Sequence, residues 1–127
     1  MENKFPALFF SLSIIGLALI YVSAGKTEAK TLSISNTDNS MVGLYVEVTG
    51  YVESARFTED TIFIKLSDGY KDIEVVVFSD LKKAIGNEAQ TLFAKDAVVS
   101  VKGVVDEYKG ALEIIPNRVA DIRRLSK

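Results

Sequence analysis

Phe63, Lys65 and Glu74 are the side chains whose types and placement suggest chemistry, and all three sit on one hairpin. Its first arm, within Asp60–Gly69, alternates Ile62, Ile64 and Leu66 with Thr61, Phe63, Lys65 and Ser67. A period of two sends one set of side chains into a core and leaves the other set on the opposite face. That opposite face carries an aromatic ring beside an ammonium group, with the Glu74 carboxylate on the returning arm. An aromatic next to a cation can stack on a base and screen phosphate charge. The same residues also make an ordinary amphipathic sheet surface, and the pattern alone does not choose between the two.

Composition narrows the chemistry by exclusion. The chain has no histidine, so it lacks the commonest general base and the commonest metal ligand. It has no cysteine either, which rules out disulfides, thiolate metal sites and lipid-modified cysteine anchors. The remaining carboxylates, lysines, tyrosines and serines form no catalytic constellation, so a non-enzymatic protein without metal or cofactor is expected. With 15 basic and 17 acidic side chains the net charge is −2, far from the basic balance of proteins that bind chiefly through phosphates.

The elements that must position the hairpin face read as short strands. Ser67-Asp68-Gly69 supplies the turn, and Ile73, Val75, Val76 and Val77 form a β-branched second arm. Upstream, Met41–Arg56 alternates Leu44, Val46, Val48, Gly50 and Val52 against Tyr45, Glu47, Thr49, Tyr51 and Glu53. A strand of that length usually bends to serve two sheets, and Gly50 marks the expected bulge or bend. Downstream, Ser79–Gly86 reads as a short helix, capped by Ser79 or Asp80 and ended by Gly86. A further turn over Asn87–Phe93 is expected to pack Leu92 and Phe93 under the sheet. Ala97–Val105 and Ala111–Ile115 complete the strands around a Glu107–Gly110 turn, and Val119–Leu125 closes the domain, extended or helical. Five short antiparallel strands with one helix between the third and fourth make a small Greek-key barrel of the oligonucleotide/oligosaccharide-binding (OB) kind.

Ahead of this domain lies a different segment. Residues 5–25 contain no charge, and 21 residues cover about 31 Å as a helix, enough to cross a bilayer. The run is longer than a signal-peptide core, which favours a retained single-pass anchor; cleavage near Ala24, giving a secreted domain, is the alternative. The short amino-terminal tail favours placing the domain on the extracytoplasmic side. Residues 26–40 are polar, rich in Ser, Thr and Asn, and read as a tether, which leaves 41–127 for the barrel.

Val48-Thr49-Gly50-Tyr51-Val52…Arg56, the hairpin from Ile62 to Phe78, and Val99–Val105 with Gly110–Ile114 together resemble the OB-fold family typified by the anticodon-binding domains of class II tRNA synthetases. The same family includes OB modules of DNA polymerase and exonuclease subunits. The resemblance covers roughly Val42–Ile122. It implies that Phe63 takes the place of the aromatic that stacks on a base, and Arg56 that of an arginine holding the nucleic acid. Glu74 falls where a base-reading Gln is common, and a carboxylate there repels phosphate. Lys65, Lys71, Lys102 and Lys109 are further candidates for phosphate screening, though lysines on strands commonly serve solubility and edge protection. Arg118, Arg123 and Arg124 make the densest basic cluster. The expected function is weak binding of single-stranded DNA or RNA, without strong sequence specificity, by a membrane-anchored OB domain. The alternative is an extracytoplasmic OB module for a protein, glycan or small ligand. The haem chaperones of cytochrome c maturation share this layout, but their haem attachment needs His or Cys, absent here.

Overall fold

Tyr45–Phe57 forms one strand, β2, of 13 residues that serves both halves of the sheet. Its first half, to Tyr51, pairs antiparallel with β5 (Val98–Tyr108), and its second half pairs antiparallel with β3 (Ile62–Ser67). These elements belong to a computed structural model that describes residues 29–126. The uncharged run 5–25, expected as an anchor or signal peptide, lies outside the described residues. Among the described residues, no helix is long and apolar enough to cross a membrane.

β3 turns into β4 (Asp72–Val77), and β4 joins β6 (Ala111–Ile115), which returns to β5 and so closes a five-stranded barrel. Within this ring all neighbours are antiparallel except β4 and β6, which run parallel. A closed ring with an odd number of strands cannot alternate direction all the way round, so one parallel pair is obligatory. The interior is filled from every strand by β-branched and leucine side chains, among them Val46, Val48, Ile62, Ile64, Leu66, Val75, Val101 and Ile114, all fully buried. Each contributes about 1.5–3 kcal/mol by leaving water.

Between β4 and β5 the chain is helical over 79–92, as expected, with Leu81, Ala89 and Phe93 buried against the core. The expected Ser79 or Asp80 cap is not used. Phe78 stands at the cap position, and its carbonyl receives the Lys82 amide at 2.8 Å. The helix begins directly after β4, so Ser79 and Asp80 already lie inside its first turn. At the carboxyl end both expectations for Val119–Leu125 are partly met: a 3-10 turn, Val119–Asp121, leads into β7 (Ile122–Ser126) along β5.

Two differences from the sequence reading matter for the site. Gly50 is not the bulge. A Cβ there would lie 2.5 Å from the Ser67 carbonyl oxygen and 2.9 Å from Ile34 Cδ1, so Gly50 permits close approach. The extra residue is Glu53, between the pairs Val52–Leu66 and Ser54–Lys65. The second difference is the expected tether, which from Ala29 onward packs on the barrel. β1 (Lys30–Thr31) runs parallel to β2 at Val46–Glu47, and the fully buried Ile34 joins the core. Ile34 sits in a 3-10 turn, Ile34–Asn36.

Candidate nucleic-acid interface

The bulge at Glu53 decides which way Arg56 faces. Counted by simple alternation from the interior Val52, Arg56 would point inward; the extra residue reverses the alternation. Ala55 then packs against the core and Arg56 is exposed, directly opposite Phe63 in the β2–β3 ladder. The Arg56 guanidinium carbon stands 4.2 Å from the centre of the Phe63 ring. A guanidinium at that distance is attracted by the ring face, by about 0.5–1 kcal/mol at an exposed site. Lys65, also exposed, follows two residues on along the same face, paired in register with Ser54 and Glu74. Of the six residues singled out, Arg56, Phe63 and Lys65 therefore form one cluster with a half-buried ring at its centre.

Glu74 begins a different surface. Its register partner on β6 is Glu113, which in turn faces Asp106 on β5. Burial pushes the Glu113 carboxyl above its usual range, and the charges of Glu74 and Asp106 push it further. No ion pair within 4 Å joins Lys65 to Glu74. Alongside Lys65 and Glu74 runs a groove of about 560 Å³, bounded by Lys71 and Asp72, by Thr37–Asn39, and by Gly110–Leu112 of the β5–β6 turn.

Lys109 lies in the β5–β6 turn, next in sequence to the groove-lining Gly110, its Nζ 5.4 Å from the Tyr108 ring centre. Lys102 does not join the cluster: it lies opposite Glu47 in the other half of β2. The basic cluster at the carboxyl end is also divided. Arg118 pairs with the buried Asp121 at 3.2 Å, and Arg124 donates to the Thr91 carbonyl at 2.7 Å. One signal was overlooked in the sequence. Arg56-Phe57, Tyr70-Lys71 and Tyr108-Lys109 are adjacent cation–aromatic pairs, and each borders a loop at the end of barrel strands. Tyr70 is 94% exposed and Tyr108 60%. OB barrels characteristically bind oligonucleotides over the second and third barrel strands and the loops beside them.

The β3–β4 turn carries a second polar cluster that holds the amino-terminal segment in place. Asp68 accepts hydrogen bonds from the Ser35 amide and hydroxyl and from the Tyr70 and Lys71 amides, at 2.6–3.0 Å. These donors, the Ser35 hydroxyl foremost, hold its carboxyl well below the usual range. Lys71 Nζ donates to the Thr37 carbonyl at 2.6 Å. The segment thereby forms one wall of the groove.

Residues 46–122 match the family model of the OB-fold nucleic acid binding domain of the tRNA anticodon type. The chain belongs to that family. Its OB domain is also similar to solved structures. OBody AM1L10, in complex with hen egg-white lysozyme, is 25% identical with a TM-score of 0.65, the match covering 79% of this chain and 97% of that one. Aspartyl tRNA synthetase from Entamoeba histolytica is 18% identical with a TM-score of 0.67, over 81% of this chain but 22% of the synthetase. The S. pombe Stn1–Ten1 complex gives 15% identity and a TM-score of 0.64, with 80% and 81% covered. The last two likenesses are of fold. No curated protein matches the chain.

Proposed function

We propose that the OB domain binds single-stranded DNA or RNA weakly, without strong sequence specificity and without catalysis, across the Arg56–Phe63–Lys65 face. The supporting observation is the Arg56 guanidinium held 4.2 Å over the Phe63 ring. It presents a stacking surface and a phosphate-directed cation as one unit. Lys65 and Lys71 place cations in the groove beside the carboxylates of Asp38, Asp72 and Glu74, and base stacking on Phe63 adds about 1–3 kcal/mol. Glu74 limits affinity and argues against base-specific readout. Acidic residues outnumber basic ones by 14 to 12 over 41–127, which also keeps phosphate-driven affinity low. Residues 5–25 hold the domain at a membrane, with the barrel on the extracytoplasmic side.

A second reading has one observation in its favour: OBody AM1L10, the 25% identical neighbour, is bound to a protein, lysozyme. On that reading the same face takes a protein partner. Fluorescence anisotropy of the full chain in nanodiscs, with labelled single-stranded DNA and RNA across a salt series, separates the two. Micromolar binding that weakens as salt rises supports the nucleic-acid reading. Absence of binding at low salt sinks it and leaves the protein-binding module.

A further inference from the structure

Packing of the chain from Ala29 onward shortens the connection between the uncharged run and the barrel to Lys26, Thr27 and Glu28. From Gly25 to Ala29 the chain reaches at most about 14 Å. The headgroup layer on each side of a bilayer is itself about 5–8 Å thick. A barrel tethered that closely, on the membrane reading proposed above, has its Ala29 end at the membrane surface.

That end carries an unusual concentration of exposed apolar side chains. Lys30 of β1 registers with Val46, so the chain enters beside the start of β2. Val42 and Leu44 lie just ahead of that start, and the Val105 amide bonds to the Leu44 carbonyl at 2.9 Å. Val104 faces Tyr45 across the β2–β5 ladder. The Tyr45 hydroxyl donates to Asp121 at 3.2 Å, and the turn holding Asp121 carries Val119 and Arg118. Val42, Leu44, Val104 and Val119 are between 43% and 47% exposed. Val42 and Val104 share a groove of about 480 Å³ with Ile115, whose charged lining consists of Asp106 alone. The Arg118 side chain, 62% exposed and paired with the buried Asp121, stands at the edge of the patch, where anionic headgroups would meet its open side.

We infer that this end of the barrel is a membrane-docking face: Val42, Leu44, Val104 and Val119 seat in the headgroup region, with Arg118 on anionic lipid phosphate. The inference rests on residues 5–25 being a retained anchor. Clustered apolar exposure at the one place where the tether forces proximity is what a lipid surface complements. Docked this way, the other half of β2, with Arg56 opposite Phe63, points away from the bilayer.

The absence of native cysteine makes the test direct. Leu44→Cys, Val104→Cys and, in the β2–β3 connection at the opposite end of the strand, Asp60→Cys are made in the full chain and spin-labelled. Each is reconstituted into vesicles of phosphatidylcholine with phosphatidylglycerol. Labels at 44 and 104 are expected to favour collisions with oxygen over a water-soluble nickel complex by at least threefold relative to the label at 60. Equal accessibility at the three sites, in protein that stays with the vesicles after alkaline carbonate, overturns docking and leaves the anchor standing. Protein released by carbonate overturns both. Dipolar broadening between copies labelled at 104 overturns docking in favour of a second copy covering the face.

Discussion

Two neighbouring stretches of the barrel surface carry opposite electrostatics on the same scaffold. On β2 and β3, Arg56, Phe63 and Lys65 combine a ring with two cations. On β4, β6 and β5, Glu74, Glu113 and Asp106 form a row of three carboxylates in register. The overall charge of −2 hides this division. A phosphodiester strand lying along the first stretch meets attraction, and one that strays across β4 meets repulsion. Net charge is thus a poor guide to a surface that segregates its charges, and on the proposed reading the acidic row bounds the track.

The contrast can be broken most severely at its aromatic centre. Phe63→Ala is expected to weaken single-strand binding by about tenfold or more, read by anisotropy, with a thermal melt to confirm that the barrel persists. Removing the boundary works in the other direction. Glu74→Gln with Glu113→Gln is expected to tighten binding by roughly fivefold at low salt, the size of about 1 kcal/mol of relieved repulsion. Unchanged affinity in the double variant means that the strand never approaches β4. Arg56→Gln is a milder change: the slope of log affinity against log salt should fall by about one for every sequence tested.

Acidity sharpens the same contrast without mutation. Glu113 has a raised carboxyl pKa in the folded protein, so it takes up a proton before ordinary carboxylates as pH falls from neutrality. Its protonation relieves repulsion in the row, so both binding and fold stability should rise as pH falls through its folded value. Asp68 has the opposite sign. Its lowered pKa contributes stability that is present above the unfolded value and lost as pH falls toward the folded one, because the unfolded chain takes up a proton that the Ser35 bonds keep off the folded carboxylate. Melts at pH 7, 5 and 3 should therefore show a gain followed by the start of a loss. The smallest effect is expected at Lys102→Gln, which lies opposite Glu47 and should leave affinity within about twofold.

Much of this surface was legible because alternation is a local signal. Ile62, Ile64 and Leu66 fixed the facing of Phe63 and Lys65, and the helix at 79–92 and the strands that begin at Val98 and Ala111 followed from pattern and turn residues. What escaped was long-range. The bulge falls on Glu53, a residue with no bulge preference of its own, while Gly50, which has one, is needed for close packing against Ser67. The stretch 29–40 looked like a linker because its apolar residues are sparse. Its anchors, Ser35 to Asp68 and Lys71 to Thr37, span 33 and 34 residues. Nothing in local composition encodes a partner that far away.

Ile34 seated over Gly50 gives the chain a threshold for proteolytic trimming. If residues 5–25 are the anchor proposed above, cleavage near Ala24 would free the barrel with that plug still in place. Loss of residues through Ile34 would empty a fully buried isoleucine site beside a glycine that cannot fill it. A vacated site of that size costs about 2–5 kcal/mol, a large share of the roughly 5–15 kcal/mol that holds a typical domain together. On the proposed anchor, the cut that would release the barrel and the cut that would remove its plug lie about ten residues of chain apart, and a protease's choice within that span decides between a freed barrel and a destabilised one.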